Sequence, residues 1–217
     1  MFTEKNTTVI ICAAGMGTRL GIGTTKALVS VENKPLIIRL LEQLDDYDDV
    51  RIAVGFQAEK LIEKVNAYRK DVLFAFNYEY ETTGPAASVS KALLRARENV
   101  ILIDGDLLVY PEDFKNFLAF DDECICVTEN SSCEPIWVDI KNDKATGFLK
   151  TKTAYEWAGI AKMKSRKLSE CNAFVYEMIK PLLPMKKFEI RVKDIDTAED
   201  YEKACLLYTS PSPRDRT

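Results

Sequence analysis

Histidine is absent from all 217 residues. That removes histidine-based triads, histidine metal sites and imidazole general acid–base catalysis. Chemistry in this chain must come from carboxylates, Lys, Arg, Tyr, Cys, backbone amides or a metal. No run of basic residues is present and the net charge is -4. A dedicated nucleic-acid binder needs a basic face to neutralise phosphates, so that class is disfavoured, whereas a small anionic ligand needs only a few placed cations. No apolar stretch reaches membrane-spanning length, and the opening MFTEKNTT is polar. The reading is no signal peptide, no membrane partner and a cytoplasmic protein. The six cysteines, Cys12, Cys124, Cys126, Cys133, Cys171 and Cys205, include no C-x-x-C pair. With no histidine to complete a zinc site, they read as free thiols in a reducing compartment.

Hydrophobic residues make up 47% and charged residues 29%, a composition for one sizeable α/β core. Residues 8–13, TVIICA, form a short β-branched apolar run and read as a buried strand. A glycine-rich loop follows, then an amphipathic helix opened by Pro35. Strands over 50–55 and 72–77 alternate with helices over 57–68 and 87–97, and 99–104, NVILID, is a fourth apolar strand ending on acid. This alternation predicts βαβ units with helices on both faces of a parallel sheet. Ligands in such sheets bind at the carboxyl ends of the strands, where the glycine loop and the acidic turn both fall. In the second half, 123–129, 135–141, 145–150 and 155–163 read as shorter strands, 169–183 as a helix, 187–196 as a last strand and 198–207 as a final helix. The domain is read as 1–205. The stretch 206–217 is Ser/Pro/Arg-rich without a core pattern, and reads as a non-native, adapter-like or disordered tail.

Five segments carry chemistry. Gly15-Met16-Gly17-Thr18-Arg19 follows the first strand, with Lys26 further on. Glycines let backbone amides approach a polyphosphate, and Arg19 and Lys26 add positive charge. A dinucleotide fingerprint is broken by Leu20, and a P-loop by Thr25 before and Ala27 after Lys26. An ordinary loop has the same composition. Asp104-Gly105-Asp106 can hold Mg²⁺ or be a solvated turn. Asp194-Ile195-Asp196-Thr197 can be a ligand segment or an N-capped helix start. Residues 82–88, TTGPAAS, can be a binding loop or a plain helix entry. In Glu156-Trp157-Ala158-Gly159, Glu156 can bind a hydroxyl or a cationic group and Trp157 can stack on a ligand, or Trp157 can be core.

The stretch IICAAGMGTRLGIGTTKALVSVENKPLI resembles the signature of the sugar-phosphate and phosphocholine nucleotidyltransferases: A-A-G-x-G-x-R, a variable stretch, K-x-L, then P-L opening a helix. Ala13, Ala14, Gly15, Gly17, Arg19, Lys26, Leu28, Pro35 and Leu36 stand at its fixed positions. The resemblance runs over nearly all of 7–205. It implies a single Rossmann-like three-layer α/β domain with a mostly parallel, mixed sheet of the glycosyltransferase-A-like type. It also implies transfer of a nucleoside monophosphate from an NTP, CTP favoured, to a small phosphorylated acceptor with release of pyrophosphate. A molybdopterin-type nucleotidyltransferase and an inactive nucleotide-binding regulatory domain are the alternatives. Arg19 and Lys26 are then catalytic. Ala13 to Thr18, Gly84, Pro85, Ala86, Ser88 and Asp104 are nucleotide-binding, and Gly84 and Ala86 suit close approach of backbone to the nucleotide. Glu156, Trp157 and Gly159 face the acceptor, and Asp106 and Asp196 hold Mg²⁺.

Overall fold

The computed structural model of the chain describes residues 1–17, 23–129, 132, 134–195 and 200–201. Strand β1 (Thr7–Ala13) is buried along nearly its whole length, the signature of a central parallel strand covered on both faces. A small hairpin of β2 (Ser30–Val31) and β3 (Lys34–Pro35) leads directly into α1 (Leu36–Glu42). Pro35 stands just before the first helical turn, a place where its missing N–H costs nothing. Then β4 (Val50–Val54), α2 (Ala58–Tyr68), β5 (Leu73–Phe76), α3 (Pro85–Ala92) and β6 (Asn99–Asp104) complete the βαβ half. The second half runs β7 (Leu107–Val109), α4 (Pro111–Ala119), β8 (Cys124–Thr128), β9 (Trp137–Lys141), β10 (Lys144–Leu149), β11 (Tyr155–Lys164), α5 (Val175–Ile179), β12 (Met185–Glu189) and β13 (Val192–Asp194).

The main sheet has nine strands in the order β5-β4-β1-β6-β11-β8-β12-β10-β9. The first four pair in parallel, and β11 joins β6 and β8 antiparallel, so the sheet is mixed. Side chains alternate across β1 as strand geometry demands. Val9, Ile11 and Ala13 pack with Ile37, Leu41, Leu61, Val65 and Phe114 of α1, α2 and α4. Ile10 packs on the other face with Ala86 and Val89 of α3 and Val175 and Ile179 of α5. The result is the expected three-layer α/β fold. The chain leaves β1 toward β4 and β5, then returns on its other side as β6, which makes β1/β6 the switch point.

Differences from the pattern reading have tertiary causes. The helix expected over 87–97 begins at Pro85 and stops at Ala92. Arg51, held on Asp49 at 2.8 and 3.0 Å, donates to the carbonyls of Ala92 (2.9 Å), Leu94 (2.7 Å) and Arg95 (3.1 Å), satisfying groups that would otherwise continue the helix. Burial pushes the Asp49 carboxyl up, but hydrogen bonds from Arg51 and Thr8 outweigh it and hold the group below the usual range. The helix expected from 169 forms only at Val175. Residues 171–173 instead bond across to α3: Cys171 N donates to Ser90 Oγ (3.3 Å), Asn172 Oδ1 accepts from Gly84 N (2.9 Å), and Ala173 O accepts from Ala86 N (3.0 Å). The single strand expected over 187–196 is two, β12 beside β8 and β13 beside β7. Between them Arg191 chelates Asp113, its Nε and Nη2 each 2.7 Å from a carboxylate oxygen, and turns the chain out of the main sheet. Of the final helix, Asp200 and Tyr201 are helical, and the remaining residues and the tail lie outside the described residues.

No sequence pattern singled out β7 or α4. Helix α4 carries Pro111 at its first position and Glu112 and Asp113 in its first turn, both favourable at a positive helix end. Its other end is capped by Lys162 of β11, a fully buried lysine. The ammonium donates to the carbonyls of Phe117 (2.7 Å), Leu118 (3.3 Å) and Phe120 (2.7 Å) and lies 4.5 Å from the Phe117 ring centre. Three donors meet three carbonyls, which is why a buried ammonium is tolerated; burial still lowers its pKa. Lys162→Met, which keeps the volume and removes the donors, should lower unfolding free energy by about 2–3 kcal/mol. A urea midpoint equal to that of the unaltered chain, at unchanged slope, would show that the cap contributes nothing.

Candidate functional site

At the carboxyl ends of β1 and β6 the surface opens into a cleft of about 1030 Å³. One end of it is the glycine loop. Ala13, Ala14, Gly15, Met16 and Gly17 all line it. Gly17 has φ +58°, and a Cβ there would stand 2.8 Å from Lys26 Cγ, so glycine lets Lys26 lie across the loop. Gly15 differs: a Cβ there would meet nothing within 4 Å, because that face is open to the cleft. Thr18 and Arg19 lie outside the described residues.

Opposite the loop stand the acids. Gly105 N donates to Cys12 O at 2.9 Å, and a Cβ on Gly105 would come within 2.8 Å of that oxygen. This close crossing turns Asp104 and Asp106 into the cleft. Strand β13 adds Asp194, paired with Leu107, and Ile195 N donates to Asp106 O at 3.3 Å. Lys26 Nζ is 3.0 Å from Asp106 Oδ2, with both side chains mostly buried. Burial, then the charges of Asp106 and Asp194, push the Asp104 carboxyl well above the usual carboxylate range, against the pull of Lys26. Burial, with Asp104 and Asp106, likewise pushes the Cys12 thiol up, so it is no nucleophile here. Among the described residues no three His, Cys, Asp or Glu side chains are grouped to hold an ion. Asp196, read as the second metal ligand, lies outside the described residues.

The segment after β5 forms a third wall through Thr83, Gly84, Pro85 and Ser88. Ala86, read with them, is fully buried and packs in the core with Val89 instead. Gly84 lines the cleft, yet the close approach that demands glycine is to the chain itself: a Cβ would stand 2.3 Å from Ala173 O. Pattern reading passed over Asn77, which is 1% exposed and donates to both Thr83 Oγ1 and Ser88 Oγ at 2.9 Å. Its only sequence signal was a polar residue ending an apolar strand.

The far end of the cleft is aromatic. Trp157 is half-buried and packs edge-on to Phe148 at 5.9 Å, leaving a side on the cleft. Trp137, Phe174 and Tyr176, not singled out from sequence, line the same end. Gly159 sits in a bulge of β11 at φ +72°, where a Cβ would stand 2.8 Å from Asp104 Oδ2. Glu156 is not on the cleft surface. It is fully buried and accepts from Ser132 N (3.1 Å) and Ser132 Oγ (3.0 Å), tethering a residue that does line the cleft.

A mixed sheet whose switch point joins a glycine loop to an acidic turn is the nucleotidyltransferase architecture of the glycosyltransferase-A-like type. Residues 9–152 match the MobA-like NTP transferase domain, and the chain belongs to that family. It is 27% identical over 183 residues to the bifunctional protein GlmU of a Nitratiruptor species, covering 81% of this chain and 40% of the relative. It is 33% identical over 127 residues to the mannose-1-phosphate guanylyltransferase catalytic subunit beta of Drosophila melanogaster, covering 54% of this chain and 34% of the relative. The chain thus spans two fifths or less of the length of these curated relatives. Among solved structures it resembles the CTP:phosphocholine cytidylyltransferase from Streptococcus pneumoniae, with TM-score 0.77 and 24% identity over 94% of this chain and 100% of that one. It also resembles the inositol-1-phosphate CTP transferase from T. maritima, with TM-score 0.76 and 18% identity over 95% of this chain and 98% of that one. These two likenesses show the fold.

The two cleft glycines should respond oppositely to a methyl group. Gly84→Ala drives a Cβ into backbone and should cost about 1–3 kcal/mol of stability. Gly15→Ala meets nothing and should stay within about 0.5 kcal/mol of the unaltered chain. Thermal unfolding of the two variants side by side checks this, and equal midpoints would contradict it.

Proposed function

We propose that this chain transfers a nucleoside monophosphate from an NTP to a small phosphorylated acceptor and releases pyrophosphate. The observation that carries this reading is the meeting, in one cleft, of the open glycine loop, Lys26 and the Asp104–Asp106 turn. Membership of an NTP transferase family supports it. On this reading the triphosphate lies along Ala13–Gly17, where Gly15 presents no side chain. Lys26, kept at the phosphate end by its pairing with Asp106, and Arg19 offset the charge of the phosphates. An acceptor phosphate oxygen, ionised near neutral pH, attacks the α-phosphorus in line; the bond to the bridging oxygen breaks and pyrophosphate leaves. No protein nucleophile or general base is needed, which fits a chain without histidine.

The donor atoms around Asp106 are carboxylate oxygens, which suit Mg²⁺. Burial pushes Asp104 up first, and the like charges of Asp106 and Asp194 that add to it fit a place that accepts a cation. Asp106 and Asp196 are the residues proposed to hold it, with Asp104 supporting. When bound, the ion supplies positive charge at the α-phosphate. The base and ribose are assigned to the Thr83–Ser88 wall and the acceptor to the Trp157 and Gly159 end, with Glu156 behind it holding Ser132. CTP is the favoured donor, since two similar structures are named for CTP-using enzymes. Phosphocholine, a phosphonate or a sugar 1-phosphate is the acceptor. The MobA-like family description favours a second reading, in which the acceptor is of the molybdopterin type.

Pyrophosphate release from a panel of NTPs with each acceptor class tests the reaction and separates the two acceptors. Nucleotide binding with no turnover on any pair would make the chain a nucleotide-binding regulatory domain instead. Lys26→Ala should fold and lose roughly a hundredfold or more in turnover, as for loss of a preorganised charge. Asp106→Asn and Asp196→Asn should each remove most activity, and the double variant should be little worse than either, because residues acting on one ion behave as a unit. Additive losses would count against a shared cation.

A further inference from the structure

We propose that Asn77 is a positioning residue that fixes the Ser88 hydroxyl as a hydrogen-bond donor toward the nucleobase. The inference rests on the nucleotide-binding reading of the cleft and names the group that meets the base. Asn77 is 1% exposed and Ser88 2%, and both polar groups must therefore find partners inside the protein or in a ligand. The orientation of the Asn77 amide follows from its neighbours. Glu79 N, which can only donate, lies 3.2 Å from Asn77 Oδ1, so the amide NH₂ faces the hydroxyls of Thr83 and Ser88, each at 2.9 Å.

The two hydroxyls then differ. Thr83 Oγ1 accepts from Asn77 and donates its proton to Glu79 O at 2.7 Å, so its hydrogen-bonding capacity is directed inward. Ser88 Oγ accepts from Asn77, and among the described residues its hydroxyl makes no second hydrogen bond. Its proton is turned away from Asn77, with no acceptor for it among the described residues. Ser88 lines the cleft beside Gly84 and Pro85, so an acceptor must come from what the cleft binds. A carbonyl oxygen or ring nitrogen of a nucleobase has that chemistry. Asn77 thereby sets the sign of a hydrogen bond it does not itself make. An acceptor at position 77 would take the Ser88 proton and present lone pairs to the base.

Asn77→Asp is nearly isosteric and makes that reversal. The test is calorimetric binding of CTP, UTP and GTP, with inorganic tripolyphosphate as a probe that has phosphates and no base. Asn77→Asp should weaken nucleotide binding roughly tenfold or more while leaving tripolyphosphate affinity unchanged, and Ser88→Ala should weaken nucleotides by roughly three- to tenfold. In the Ser88→Ala background, Asn77→Asp should add no further base-dependent loss, because the group it re-aims is gone. Equal weakening of nucleotide and tripolyphosphate by Asn77→Asp would mean that Asn77 only holds the wall together and would overturn the proposal. So would unchanged nucleotide affinity in Ser88→Ala, which remains informative if Asn77→Asp folds poorly. An unaltered chain that binds neither nucleotide nor tripolyphosphate would remove the functional reading itself, an outcome distinct from both.

Discussion

The bond from Gly105 N to Cys12 O, where the end of β6 crosses the end of β1, is the contact on which the site depends. Here the turn after β6 is pulled against β1 so closely that a Cβ on Gly105 would stand 2.8 Å from the carbonyl oxygen. The glycine loop leaves β1 at that point and the acidic turn leaves β6 beside it, so the loop, Lys26 and the acids share one crevice. Gly159 reinforces the arrangement from β11, its missing side chain giving room to the Asp104 carboxylate.

The two ends of β11 show how the fold treats buried charge. At Lys162 the ammonium is fully matched by three carbonyls at the end of α4, and the result is a static cap. At the cleft like charges stand together. Burial, then the charges of Asp106 and Asp194, push the Asp104 carboxyl up against the opposing charge of Lys26. A satisfied buried charge rigidifies, whereas crowded like charges give an incoming opposite charge something to gain. The mechanism proposed for this chain uses the second kind, on a scaffold held by the first.

Packing within the protein and readiness for a ligand are easily confused at glycine. Gly15 and Gly84 both line the cleft, and both read from sequence as places where backbone meets nucleotide. Only Gly15 has empty space where a side chain would go; at Gly84 that space belongs to Ala173. The same distinction separates Ser88 from Ala86, one a residue of the cleft lining and the other packed in the core.

The sequence by itself determined the α/β class, the positions of β1, β4 and β6, and the loop and turn that meet between them. Those features are local: an apolar β-branched run, a glycine cluster and an acid at a strand end declare themselves within a few residues. Tertiary structure alone decided where α3 stops, since Arg51 comes from another strand to cap it, and why the last strand breaks, since Asp113 captures Arg191. It also decided that Glu156 serves Ser132 and that Asn77 serves Ser88, pairs separated by 24 and 11 positions. A side chain's partner is set by which elements pack together, and no periodicity within one element encodes the neighbour it will meet.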